Sequence, residues 1–328
     1  MEQIPVEDMT GKVCIVTGSS SGIGRETAAG LARMGATVVM AVRNRDRGES
    51  VMEDILKQYP SARLDLLVAD LSSVSEIRRV AAEFRTRYSR LDVLINNAGG
   101  VSGKRVLTSD GIELTFAINY LAPFLLTHEL MDMLLASAPS RVIIVSSTAH
   151  TMGTVDMDNL QSEKRYGALR AYDSAKLMNL MFTYELARRL TGTGVTVNAL
   201  HPGVVATNFA GNSTRAVRFL FRLGRPLMIS PREGAQTSIY LASSPEVKTV
   251  SGKYFYRSRP KESSKESYDL KKQKQLWLVT ETILAKLEVE IGRPAYPSAQ
   301  QAMVGASSSS GPDVPGGLHN VLGHGNIP

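Results

Sequence analysis

Two side chains four positions apart carry the first chemical signal in this chain. In Tyr172-Asp173-Ser174-Ala175-Lys176, a phenol and an ammonium fall on one face of a helix. A nearby ammonium favours the phenolate and lowers the phenol pKa toward neutrality. Tyr172 is therefore predicted to act as a general acid or base toward a reacting oxygen. The spacing alone recurs by chance, so its weight comes from what surrounds it.

The second signal is a glycine turn. The run Thr17-Gly18-Ser19-Ser20-Ser21-Gly22-Ile23-Gly24 follows an apolar strand and opens a helix. Gly18, Gly22 and Gly24 have no Cβ to obstruct a phosphate, and a helix N-terminus offers free amides and a partial positive charge. Together with Ser20, Ser21 and Ile23 they are predicted to bind the pyrophosphate of a dinucleotide. The second strand ends Met40-Ala41-Val42-Arg43-Asn44, with a guanidinium where a carboxylate would accept hydrogen bonds from an adenosine ribose. Arg43 can pair bidentately with a 2′-phosphate, so the expected cofactor is NADP(H) rather than NAD(H), with Asn44 beside it.

These groups need a scaffold, and the apolar pattern predicts one. Short β-branched runs at Val13–Thr17, Thr37–Val42, Leu64–Val68, Val93–Asn96, Val142–Ser146 and Val195–Leu200 read as strands covered on both faces. Glu26–Met34, Asp46–Tyr59 and Ser73–Tyr88 read as intervening helices, with capping boxes at Ser73/Glu76 and Asp110/Glu113. The alternation predicts an α/β fold, a doubly wound parallel sheet of Rossmann type, as a single domain with a C-terminal helical extension. Residues 1–10 form an arm, 11–260 the catalytic domain, 261–296 a basic segment and amphipathic helix, and 297–328 a disordered tail. The helix is placed on Leu276, Val279, Ile283, Leu287 and Ile291, docked on the main domain or on a partner subunit.

With these elements in order, the chain resembles the short-chain dehydrogenase/reductase family over roughly Thr10–Tyr256. The likeness rests on the glycine turn, Asn96-Asn97-Ala98-Gly99, Asn119, Ser146-Ser147, Tyr172/Lys176, and Pro202-Gly203 with Thr207. Arg43-Asn44, Ser147-Thr148-Ala149-His150 and His201-Pro202-Gly203-Val204-Val205 are similar to the retinol-dehydrogenase-like branch. The resemblance implies that Tyr172 protonates a carbonyl oxygen as hydride leaves a nicotinamide, while Ser147 polarises that oxygen. It implies that Lys176 lowers the tyrosine pKa and holds the nicotinamide ribose, and that Asn119 positions a water linking Lys176 to solvent. It places Asp70 near the adenine amino group, Asn97 and Ala98 on the adenosine side, and Thr207 at the carboxamide. Further cofactor contacts fall on Leu71, Gly99, Pro202, Gly203 and Val205. Two departures stand out: Ala175 where the family shows serine, and none of the N-terminal apolar anchor of its membrane-bound members. Ser147 and Tyr172 lie 25 residues apart, and the polar spacer Thr151–Arg170 is expected to loop outward beside the pocket.

Composition bounds what else the chain could be. Apolar residues are 43% and charged residues 21% of 328, as in a soluble globular protein. One cysteine, Cys14, excludes an internal disulfide framework, and a cytoplasmic location is expected. No apolar run is long enough to span a bilayer. His150 and His201 lack companions at metal-ligand spacing, so no metal is expected. The net charge of +7 concentrates between Lys253 and Lys274, a solvated surface or one for peripheral membrane contact; the scarcity of aromatics argues against nucleic acid. The expected activity is NADP(H)-dependent interconversion of a carbonyl and an alcohol by a homo-oligomer. Phe209, Phe219, Leu220, Phe221, Leu227 and Met228 read either as core or as the lining for a lipophilic small-molecule substrate, with reduction the favoured direction. The alternative is a dinucleotide-sensing regulatory protein on the same fold.

Overall fold

The computed structural model describes residues 8–204 and 229–290. Its centre is an eight-stranded sheet: β1 (Val13–Thr17), β2 (Thr37–Val42), β3 (Arg63–Val68), β4 (Val93–Asn96), β5 (Ser140–Val145), β6 (Val195–His201), β7 (Lys253–Tyr256) and β8 (Arg259–Lys261). The order is β3-β2-β1-β4-β5-β6-β7-β8, parallel throughout except for the last pair. Every residue of β1, β4 and β6 is buried, which explains the apolar runs Val13–Val16 and Val93–Ile95; β6 also buries Thr196, Asn198 and His201.

The helices are α1 (Gly22–Arg33), α2 (Arg45–Gln58), α3 (Val74–Arg87), α4 (Leu114–Phe116), α5 (Ala122–Glu129), α6 (Met131–Ala136), α7 (Ala168–Arg189), α8 (Pro231–Ser243) and α9 (Leu270–Glu290). A π turn, Ala117–Leu121, joins α4 to α5. The expected strands and first three helices are present within a few residues of their predicted ends. β5 ends at Val145, although the Ser146 amide still donates to the Leu200 carbonyl at 2.8 Å; the Ser146 hydroxyl donates to the Lys176 carbonyl at 2.9 Å.

The caps differ from expectation. The Ser73 side chain caps nothing, and the Val74 amide donates to Asp110 Oδ2 at 2.7 Å. With Asp110 committed there, Glu113 caps α4 alone, accepting from the Thr115 and Phe116 amides at 2.8 Å each. The capping box that does form is Ser230/Glu233 at α8.

α9 docks on α7, with a buried stripe of Gln273, Leu276, Trp277, Thr280, Leu284 and Leu287. Two of those positions are polar, so the stripe is rotated from the purely apolar one; Val279 and Ile283 flank it half-buried. Ile291 lies outside the described residues. Trp277 packs against Phe124, Phe182 and His128, with the Arg189 guanidinium 4.0 Å from its ring. The Thr280 and Tyr120 hydroxyls are 2.8 Å apart.

On the outer edge, Arg259, Pro260 and Lys261 are exposed, and charge with proline blocks pairing by another strand. Part of the basic segment therefore has a structural use. No helix among the described residues is long and apolar enough to cross a membrane. Trp277→Ala should lower stability by about 3–5 kcal/mol in urea unfolding; a loss below about 1 kcal/mol would show that α9 is not part of the cooperative core.

Candidate active site

At the C-terminal ends of β1 to β4 lies a cleft of about 530 Å³. One wall is the glycine turn: Gly18, Ser20, Ser21, Gly22, Ile23 and Gly24. Gly18 has φ of 66°, and a Cβ there would sit 2.9 Å from Ala98 Cα. A Cβ on Gly24 would meet the Gly18 carbonyl oxygen at 2.4 Å. The turn therefore folds this tightly only with glycine, and α1 begins with no side chain capping its amides. The opposite wall is Asn97, Ala98 and Gly99. The Thr17 hydroxyl accepts from both the Asn97 and Ala98 amides at 2.9 Å, and Asn97 Nδ2 donates to Thr17 O at 2.7 Å. These contacts fix the width of the cleft.

At the far end lie Arg43, Asn44, Asp70 and Leu71, joined by Arg47, which the sequence reading missed. Asn44 Oδ1 caps α2 by accepting from the Arg47 amide at 2.8 Å, and that cap holds Arg47 at the rim. Asp70 Oδ1 accepts from the Ser72 amide and hydroxyl at 3.0 and 2.7 Å. Neither the Arg43 nor the Arg47 guanidinium has an ion-pair partner among the described residues, whereas Arg45 between them pairs with Glu49. Two unneutralised cations at one end of a glycine-walled cleft suit a dinucleotide, whose phosphates carry negative charge.

The four predicted catalytic residues converge beyond Gly99. Lys176, 4% exposed, places Nζ 5.4 Å from the Tyr172 ring centroid and donates to Val145 O at 2.9 Å. Ser147 hydrogen-bonds to Tyr172, and its oxygen accepts from the Ala149 amide at 3.1 Å. Asn119, in the π turn, donates to the Gly100 and Thr115 carbonyls at 2.8 Å each and accepts from the Gly100 amide at 3.2 Å. A Cβ on Gly99 would lie 2.6 Å from Asn119 Oδ1 and 3.4 Å from Lys176 Nζ. One glycine thus joins the cleft to the catalytic group.

Comparison with known proteins agrees with this fold. Residues 12–218 match the short chain dehydrogenase family. The chain belongs to that family. It is an oxidoreductase acting on alcohol and carbonyl groups, similar to the retinol-dehydrogenase-like branch. It is 41% identical to human (Homo sapiens) retinol dehydrogenase 14 over 85% of this chain and 88% of that one. An uncharacterized protein from Mycobacterium Paratuberculosis superposes with TM-score 0.70 at 32% identity, covering 85% of this chain and 95% of the other. A Beutenbergia cavernae protein described as an NAD(P) dependent gluconate 5-dehydrogenase, with bound NADP at low occupancy, gives 0.61 at 26% identity, covering 76% and 96%.

The electrostatics correct one expectation. The Tyr172 phenol is not lowered: burial raises it above its ordinary value, Asp173 adds to the rise, and the hydrogen bond with Ser147 only opposes it. Burial also pushes Lys176 down to about 7, so the charge invoked to activate the phenol is itself under pressure.

The spacer departs from expectation too. It is tied down rather than looped outward. Tyr166 OH donates to Ser102 O at 2.7 Å and lies 3.2 Å from Thr115 Oγ1, both cleft residues. Gln161 Oε1 accepts from the Glu113 amide at 2.9 Å. Nothing in a polar, charged stretch of sequence signalled these ties. Pro202 and Gly203 follow β6 and do not line the cleft; a Cβ on Gly203, at φ 99°, would meet Ile229 Cδ1 at 2.5 Å. Val205, Thr207 and the apolar Phe209–Met228 stretch lie outside the described residues.

Lys176 has a measurable consequence. Its folded pKa of about 7 lies below the unfolded 10.5, so between them the unfolded chain binds more protons and stability rises with pH. Relative to Lys176→Met, the wild-type protein should gain stability from about pH 6.5 to about pH 9 in urea unfolding. A pH-independent difference between the two would remove the buried-ammonium interpretation.

Proposed function

We propose that this chain is an NADP(H)-dependent reductase of lipophilic aldehydes or ketones, running toward the alcohol. The observation that carries the reading is the meeting of Ser147, Tyr172, Lys176 and Asn119 at one end of a cleft whose other end holds Arg43 and Arg47.

The glycine turn would hold the pyrophosphate, Arg43 and Arg47 the 2′-phosphate, and Lys176 the nicotinamide ribose. The bound nicotinamide supplies the hydride. Tyr172 gives its proton to the substrate oxygen. A phenol kept protonated by burial is already in the form that reduction needs. The Ala149 amide holds the Ser147 oxygen in place, and the hydroxyl proton, directed at Tyr172 in the free protein, would turn to the same substrate oxygen as negative charge builds there. Lys176 keeps a positive charge available beneath the Tyr172 ring.

Lipophilicity is supported by exposed Met152 and Leu169, near Ser147 and Tyr172 in the chain, and by Val204 beyond Gly203. The human relative, named a retinol dehydrogenase, and the NADP in the Beutenbergia cavernae structure support the same reading. A cytoplasmic setting belongs to this reading and is supported by the single, buried, unpaired Cys14.

A panel of aliphatic and aromatic aldehydes and ketones, followed by nicotinamide absorbance, tests the proposal. NADPH should outperform NADH, and Arg43→Ala should cut kcat/KM for NADPH by about 10- to 100-fold with little change for NADH. Tyr172→Phe should bind NADPH normally and lose about 10²–10⁴-fold in kcat. Near-normal turnover in that variant, or no turnover with either cofactor across the panel, would defeat the reading.

A further inference from the structure

His150 is 2% exposed and bridges two parts of the chain that are far apart in sequence. Its Nδ1 is 2.6 Å from the Ser147 carbonyl oxygen, and its Nε2 is 3.1 Å from the Ser264 amide nitrogen. A backbone N–H can only donate, so Nε2 is the acceptor and carries no proton. The neutral ring must then carry its proton on Nδ1, which donates to Ser147 O. Burial favours that neutral form, holding the imidazole below its ordinary pKa against the opposing effect of the Ser147 bond. The ring edge also packs on Tyr254, with centroids 5.0 Å apart and planes at 75°.

Ser264 is a firm anchor. Its carbonyl accepts from the Ser267 hydroxyl at 2.6 Å and from the Ser267 amide at 3.0 Å. The neighbouring Ser263 hydroxyl is 2.6 Å from the Tyr184 hydroxyl, and Tyr184 stands on α7. Twelve residues earlier on the same helix, about 18 Å along its axis, is Tyr172. The chain therefore closes a circuit from Tyr172 along α7 to Tyr184, across to Ser263 and Ser264, through the imidazole, and back to Ser147. Glu266 adds a second tie, accepting from the Val155 amide at 3.2 Å just past the Ser147 turn.

We propose that His150 is a positioning residue for carbonyl reduction: its Nδ1–H, held by the Ser147 carbonyl, fixes the turn that aims the Ser147 hydroxyl at Tyr172 and the substrate oxygen. The inference rests on the function proposed above. It assigns His150 no contact with substrate or cofactor.

Three substitutions separate positioning from mere support. In His150→Asn the amide nitrogen takes the place of Nδ1, keeping the donor to Ser147 O and losing the link to Ser264. In His150→Gln the amide oxygen takes the place of Nε2, keeping the Ser264 link and losing the donor. His150→Leu loses both. For reduction by NADPH, His150→Gln and His150→Leu should lower kcat by about 10- to 100-fold, the scale of a misaligned catalytic group. KM for NADPH should be unchanged, and His150→Asn should stay close to wild type. Wild-type kcat in His150→Gln, or equal damage in His150→Asn, would overturn the proposal, as would losses that merely follow the urea midpoints. If the wild-type protein reduces nothing in the panel, the proposed function fails, and the tautomer still decides this inference. Nitrogen-15 NMR of the full chain near neutral pH should show His150 protonated on Nδ1, and an Nε2–H tautomer would refute it.

Discussion

Burying Lys176 is the constraint around which the site is arranged. An ammonium removed from water is unfavourable unless hydrogen bonds replace its hydration. The replacement here is the Val145 carbonyl, at the end of β5. The next residue, Ser146, turns back to bond the carbonyl of the same lysine, so the strand end grips both its head group and its backbone. Gly99 then brings the cleft wall so close that any side chain would crowd Asn119 or the ammonium. Even so the ammonium is left with a depressed pKa, a local cost of the kind proteins keep where the chemistry requires it.

The C-terminal extension follows from the same constraint. Groups that must stay aligned while buried need bracing from more than one side, and 262–290 supply it. Thr280 reaches Tyr120, the neighbour of Asn119 in the π turn, and Glu266 reaches the Val155 amide. Gln273 accepts from Arg188 at 3.0 Å, beside the pairing of Glu185 with Arg188 and Arg189. Glu185 is almost fully buried while Arg188 and Arg189 reach toward solvent, so this network runs from the core of the α7–α9 contact to its rim. The helix expected to dock on the main domain or on a partner subunit docks on α7 of this same chain.

What the sequence made legible, and what it hid, divides along physical lines. Strands buried on both faces need apolar residues at every position, so β1, β2 and β4 could be read to the residue. A turn with no room for Cβ needs glycine, so Gly18 and Gly24 were readable as well. The phenol pKa was not, because it depends on how much water reaches Tyr172, and burial outweighed the neighbouring charge. The Ser73 cap does not form: its hydroxyl lies 3.0 Å from the Ser75 hydroxyl, and Asp110, 36 residues from Val74, holds the first amide of α3. The α9 stripe was misplaced because Gln273 and Thr280 are buried through partners the sequence does not name. Arg47 escaped notice because its position depends on the Asn44 cap, a contact and not a pattern.

The sheet order also separates two tasks that a dinucleotide enzyme must perform together. Arg43 and Arg47 belong to the β2–α2 junction, and Lys176 and Ser147 to the end of β5 and α7. With β1 and β4 between β2 and β5, the two ends are three strand spacings apart, about 14 Å. Arg43 and Arg47 line the same cleft as the short turn Asn97 to Gly99, which the Thr17 hydroxyl fixes and whose Gly99 lies against Asn119 and Lys176. Charge at the arginine end is too distant and too exposed to act on the phenol through solvent at ordinary ionic strength. Coupling between cofactor choice and proton transfer would therefore have to pass through the Thr17–Asn97 contact as a change in cleft width. A rigid turn transmits position rather than charge, so each end can be tuned chemically without detuning the other.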